Sequence, residues 1–107
     1  MTVNQYDVVL VNLDPTIGSE IRKTRPCVII SPNEMNRHLR TVVIAPMTSK
    51  SHSYPTRVSI SYNKVDGFVV IDQVRTIDKR RIVKSLGKLT TDETKAVKAV
   101  IQETYVD

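Results

Sequence analysis

The sequence predicts a mainly β domain, α+β in class, with short strands forming a small, partly closed antiparallel barrel and one helix at the C-terminal end. Three observations predict it. Apolar, β-rich runs of strand length recur at residues 8–13, 27–31, 41–45, 57–61 and 68–72, separated by Pro, Gly and polar residues. One strong helix signal follows Gly87, where Thr90 and Glu93 have the spacing of a capping box. The 107 residues, 40% of them hydrophobic, are enough for one domain, residues 1–107, with its own core.

Residues 8–13 are nearly all apolar, the pattern of a strand buried on both faces or lying at a barrel turn. Residues 27–31 read the same way, with Pro26 as the break before them and Pro32 the break after. Residues 33–36 fit one helical turn. Residues 41–45 are a third β-branched run, and 46–55 a polar loop. Residues 57–61 alternate Arg-Val-Ser-Ile-Ser, the pattern of a half-exposed strand. Residues 65–67 read as a turn, 68–72 as a strand, and 73–77 as its continuation past a kink or bulge. Residues 79–83 read as a short helix or turn. In the last helix Val97, Val100, Ile101 and Thr104 share one face, with Lys95, Lys98 and Gln102 largely off it. That gives five or six strands and a terminal helix, with no repeat, linker or low-complexity tract.

The net charge of +5 favours anionic partners. Basic residues gather at positions 22–25, 37–40 and 79–88, whereas Asp92, Glu93, Glu103 and Asp107 lie toward the C-terminus. Cys27 is the single cysteine, so no disulfide can form within the chain, and its apolar setting reads as core packing. The N-terminus is polar, without the apolar stretch of a signal peptide, and no run approaches the length of a membrane span. The expected setting is the reduced cytoplasm, without membrane attachment.

Chemistry is concentrated in the connection between the first two strands. It carries Asp14, Pro15, Thr16, Gly18, Ser19, Glu20, Arg22, Lys23, Thr24 and Arg25, more polar groups than a hairpin turn needs. His38 and His52 have no carboxylate at metal-ligand spacing, no cysteine pair is present, and neither a glycine-rich phosphate loop nor a Ser-His-Asp set can be read. No metal or cofactor is expected. The Arg, Glu, Thr and Asp residues that remain suit cleavage of RNA by its own 2′-OH. That reaction needs a base for the 2′-OH, cations and hydroxyl donors for the phosphorane, and an acid for the 5′-oxygen.

The segment Asp14-Pro15-Thr16-x-Gly18-Ser19-Glu20 with Arg25-Pro26 resembles the signature of the MazF/PemK-like toxins, the endoribonuclease halves of toxin–antitoxin pairs. Val28-Ile29-Ile30-Ser31-Pro32, Pro46-Met47-Thr48-Ser49, Tyr54-Pro55, Asp66-Gly67 and Asp72-Gln73-Val74-Arg75-Thr76-Ile77-Asp78 follow in the family's order. The resemblance implies an SH3-like or CcdB-like barrel acting as a homodimer. It implies metal-independent cutting of single-stranded RNA, mRNA included, at a short preferred sequence, leaving a cyclic or 3′-phosphate and a 5′-OH. By motif position, Arg25 and Thr48 correspond to the residues at the scissile phosphate. Glu20 falls where some members carry an acidic residue tied to activity, as base or as orienter of Arg25. Members that use an Asp at position 72 pair it with an Arg two positions earlier and a His in the first loop. Here Val70 and Ser19 stand there, so the expected centre is Arg25 and Thr48, and Asp72 is read as holding a turn or Gln73. The expected substrate-binding set is Ser19, Arg22, Lys23, Thr24, Ser49, Lys50, His52, Tyr54, Asp72, Gln73 and Arg75.

The family also implies a cognate acidic, MazE-like antitoxin. A basic RNA groove is readily covered by an acidic disordered segment that folds on binding. The alternative on the same barrel is a non-catalytic CcdB-like inhibitor of DNA gyrase. Here the C-terminal end is acidic and finishes Tyr-Val-Asp, without an obvious hydrophobic binding motif.

Overall fold

The computed structural model describes residues 2–13, 24–49, 53–62 and 65–106. Seven strands and two α-helices follow in the order β1 (Asp7–Asn12), β2 (Thr24–Ile29), α1 (Asn33–His38), β3 (Thr41–Thr48), β4 (Arg57–Tyr62), β5 (Val65–Val70), β6 (Arg75–Asp78), β7 (Ile82–Lys88) and α2 (Thr91–Tyr105). Single 3₁₀ turns at Ile71–Gln73 and Lys79–Arg81 flank β6. The sheet runs β4-β5-β3-β2-β1-β7, with β6 on the other flank of β3, and these strand pairs are antiparallel.

The sheet has to curl. β6 and β7 lie at opposite edges of the five strands β6-β3-β2-β1-β7, which in a flat sheet is about 19 Å at ~4.8 Å per strand. They are joined by the three-residue turn Lys79–Arg81, and a 3₁₀ turn rises only about 2 Å per residue. The strands therefore wrap toward one another, forming a curled sheet that stops short of a closed barrel.

Alternation along the strands then gives two cores. On the concave side Val9, Val11, Cys27, Ile29, Val42, Ile44 and Ile77 form one cluster. On the other side Val8, Val28, Ala45, Met47, Val69 and Ile71 pack with Val58 and Ile60 of β4 and Val97 of α2. β1 serves both, which is why Val8, Val9 and Val11 are all fully buried and its sequence lacks polar alternation. The helix face is the expected one: Val97 is buried, Val100 and Ile101 pack against the second core, and Lys95, Lys98 and Gln102 are exposed. Its capping box is complete, with Thr90 Oγ1 accepting from the Glu93 N–H and Glu93 accepting from the Thr90 N–H. Tyr6, at φ 70°, donates its N–H to Ile29 O at 2.6 Å and accepts from the Leu89 N–H at 3.1 Å, tying the start of β1 to the approach to α2.

Several boundaries differ from the sequence expectations. Pro26 lies inside β2, opposite Leu10, one residue beyond the last β2 position that pairs with β3, where a missing N–H is tolerated. β3 continues through Pro46, Met47 and Thr48 instead of ending at Ala45. Pro46 marks the point where the strand leaves β2 and takes up β5. Residues 65–67 are strand, not turn, because they pair with β4. β7 was not expected at all.

Candidate active site

Arg25 sits in β2 opposite Val11, and Thr24 opposite Asn12. Both are exposed. The last pair between β2 and β3 is Cys27 with Pro46. The next residue of the same parity on each strand is Arg25 on one and Thr48 on the other. Side chains two apart share a face, so Arg25 follows Cys27 and Ile29, and Thr48 follows Val42 and Ile44, all on the concave side. Arg75 is opposite Ile44 in β6 and shares the face of Ile77. Three strands thus bring Arg25, Thr48 and Arg75 to one face.

The electrostatics agree with that placement. Burial pushes the Cys27 thiol up to about 12, and the charges of Arg25 and Arg75 both work against the shift. The charges of Arg25 on β2 and Arg75 on β6 are thus both felt at the same buried sulfur. Chemically, cations and a hydroxyl on one face can hold a phosphate and stabilise charge that grows on it.

Thr48 is held by its neighbours. Thr48 pairs with Phe68, and a Cβ at Gly67 would stand 2.9 Å from the Thr48 carbonyl oxygen. Such a contact is too short for an atom in place, so Gly67 lets β5 approach this strand. Sequence reasoning took Asp66-Gly67 for a turn and missed this support. The signal was a glycine inside what could equally have been a strand.

A second group lies around the 3₁₀ turn after β5. Thr56 donates to Asp72 Oδ1 at 2.8 Å, and Arg57 Nε lies 3.5 Å from the same oxygen. The Thr56 hydroxyl, more than Arg57, holds the Asp72 carboxyl below the usual carboxylate range. Tyr105 Oη donates to the Ile71 carbonyl at 2.6 Å, fastening the end of α2 to this turn. Gln73, Ser49 and Tyr54 are exposed, Tyr54 by 62%. Ser19, Glu20, Arg22, Lys23, Lys50 and His52 lie outside the described residues. Among the described residues, no three His, Cys, Asp or Glu side chains gather as a metal site would need.

The fold is a small curled antiparallel sheet with a cationic and hydroxylic concave edge and a helix on its reverse. The chain belongs to the PemK-like, MazF-like toxins of type II toxin–antitoxin systems, which it matches over residues 4–105. It is 35% identical over 96 residues to the endoribonuclease toxin MazF of Escherichia coli (strain K12), spanning 89% of this chain and 86% of that protein. The crystal structure of MazF from Deinococcus radiodurans superposes with a TM-score of 0.79 at 26% identity, over 96% of each chain. A MazE-MazF crystal structure from the same organism matches with a TM-score of 0.80 at 25% identity, over 96% of this chain and 95% of that one. With the chain in the MazF-like family, the CcdB-like gyrase inhibitor is not retained as an alternative. No helix among the described residues is long and apolar enough to cross a membrane.

Proposed function

We propose that residues 1–107 form a single toxin domain that cuts single-stranded RNA, mRNA included, at a short preferred sequence. The reaction is attack of a 2′-OH on the adjacent phosphate, without a metal ion. The observation that carries this reading is the shared face of Arg25 and Thr48, with Arg75 on the same face. Arg25 stabilises the phosphorane and is a candidate proton-transfer partner. Thr48 donates to a phosphate oxygen, and Glu20 serves as base or orients Arg25. Ser19, Arg22, Lys23, Thr24, Ser49, Lys50, His52, Tyr54, Gln73 and Arg75 form the binding set, with Asp72 holding the turn that presents Gln73. The protein works as a cytoplasmic homodimer, and sedimentation at micromolar concentration tests its oligomeric state.

Incubation with a long single-stranded RNA in EDTA, followed by mapping of fragment ends, tests the chemistry. Discrete cuts with 5′-OH ends are expected. Arg25→Ala should slow them by roughly 10²–10³-fold, the scale of losing one charge-stabilising donor, with a smaller effect on RNA binding. Intact RNA from well-folded protein on several substrates would overturn the reading.

An acidic, MazE-like antitoxin segment is expected to occupy the same groove and so exclude RNA. Pre-bound antitoxin should abolish binding of labelled RNA. A ternary complex at this groove would count against it.

A further inference from the structure

Away from the candidate centre, the residues from Ile77 to Lys84 include Lys79, Arg80, Arg81 and Lys84 against a single acid, Asp78. The 3₁₀ turn Lys79–Arg81 brings Lys79 beside the end of α1. The Lys79 N–H donates to the Arg40 carbonyl at 2.9 Å, and Lys79 Nζ donates to the Asn36 carbonyl. A shallow cleft of ≈ 390 Å³ results, lined by Leu39, Arg40, Asp78, Lys79 and Arg80. Arg80 grips Asp78 through two contacts of 3.1 Å, and Arg37 is exposed nearby on α1.

We propose that this surface is a second contact for single-stranded RNA, binding its sugar–phosphate backbone outside the cut sequence. The proposal rests on the ribonuclease reading of the candidate centre and extends it. Three observations favour this occupant. Cations outnumber the one carboxylate in the cleft, and Arg80 already answers that carboxylate. Among the described residues no aromatic side chain lines the cleft, so it offers charge without a stacking platform, which suits backbone contact rather than base reading. The surface is also continuous with the centre. Arg81 Nη1 donates to the Asn12 carbonyl at 3.3 Å, and Asn12 pairs with Thr24, next to Arg25. Along β3 the cleft end, Thr41, and the centre end, Thr48, are separated by up to about 23 Å of strand. An RNA must reach across that span to touch both.

The test compares two cleavable RNAs: a long one and one trimmed to the mapped cut sequence. Their 2′-O-methyl forms, which cannot be cut, serve as binding probes in fluorescence anisotropy across a salt series. The variant is Arg40→Gln/Arg80→Gln, at two exposed positions that leave Lys79 and its structural contact intact; thermal melting confirms its fold. On the long RNA, KM and Kd should rise roughly tenfold with kcat unchanged. The salt slope should fall by about 1.4 for two lost phosphate contacts at ~0.7 each. On the trimmed RNA nothing should change. Equal losses on both lengths, or no loss on the long RNA, would overturn the proposal while leaving the ribonuclease reading standing. So would displacement of an acidic peptide, but not of RNA, by the same substitutions. Wild-type protein that neither binds nor cuts any RNA would remove both.

Discussion

Cys27 lies two residues along β2 from Arg25, and burial pushes its thiol up to about 12 despite the opposing charges of Arg25 and Arg75. The thiolate is the reactive form, so Cys27 should be inert near neutral pH. A thiol reagent should label it slowly in the native protein and quickly in denaturant; fast native labelling would contradict the burial. The linkage has a definite sign. A raised folded-state value means that the stability tied to the neutral thiol is complete below the ordinary value of 9.0 and is lost as pH climbs toward about 12. Asp72 works in the opposite direction. Its carboxyl is held low, chiefly by Thr56, so its contribution is present above the ordinary carboxylate range and disappears as pH falls below it. Thr56→Val should raise the Asp72 titration toward that ordinary range, as carbon-detected NMR would read. Gly67 is the third residue with a calculable effect. Gly67→Ala places a methyl group 2.9 Å from the Thr48 carbonyl, which must move. A loss of about 1–3 kcal/mol is expected, with a fall in RNA cutting beyond what unfolding explains. Unchanged stability in denaturant melts would show that the strands have slack there.

At the scale of elements, the helix was legible because its signals are local. The capping box and the apolar stripe sit within one run of chain, and both recur in α2. Thr90→Ala should cost about 1 kcal/mol. Tyr105→Phe should cost a similar amount by leaving the Ile71 carbonyl without its donor; urea titration reads both. The strands were legible where both faces are buried, as in β1, and illegible where pairing alone makes the strand. β7 reads Ile-Val-Lys-Ser-Leu-Gly-Lys and is mostly exposed at the sheet edge. It follows three consecutive cations and carries Gly87 at φ 125°, so its sequence looks like a turn. Its strand character comes from β1, a partner some 75 residues away. Pro46 and Gly67 misled for a related reason. Each normally interrupts a strand, but one stands where β3 changes partners and the other where two backbones need room. The candidate residues were found through their motif. That Arg25, Thr48 and Arg75 share a face depends on the register of three strands, which composition does not encode.

At the scale of the whole molecule, one sheet separates two cores with different duties. The concave core, with Ile77 3% exposed, shares its face of the sheet with Arg25, Thr48 and Arg75. The reverse core, with Val97 fully buried, joins α2 and the β4–β5 hairpin to the back of the same strands. Losses in the two should therefore separate stability from activity. Ile77→Val removes one methyl group from the concave side and should cost about 1 kcal/mol. Val97→Ala removes about two methyl groups on the reverse side and should cost about 2 kcal/mol. The side chains lie on opposite faces and share no cluster, so the double variant should lose their sum to within about 0.5 kcal/mol. RNA cutting should divide differently. Ile77→Val loosens β6 next to Arg75 and should lower kcat/KM in the folded fraction, whereas Val97→Ala should leave it near wild type once the folded fraction is counted. If Val97→Ala damages turnover as much as Ile77→Val, the two cores are mechanically one. The geometry of the candidate centre would then depend on the docking of α2 as much as on the curl of the sheet.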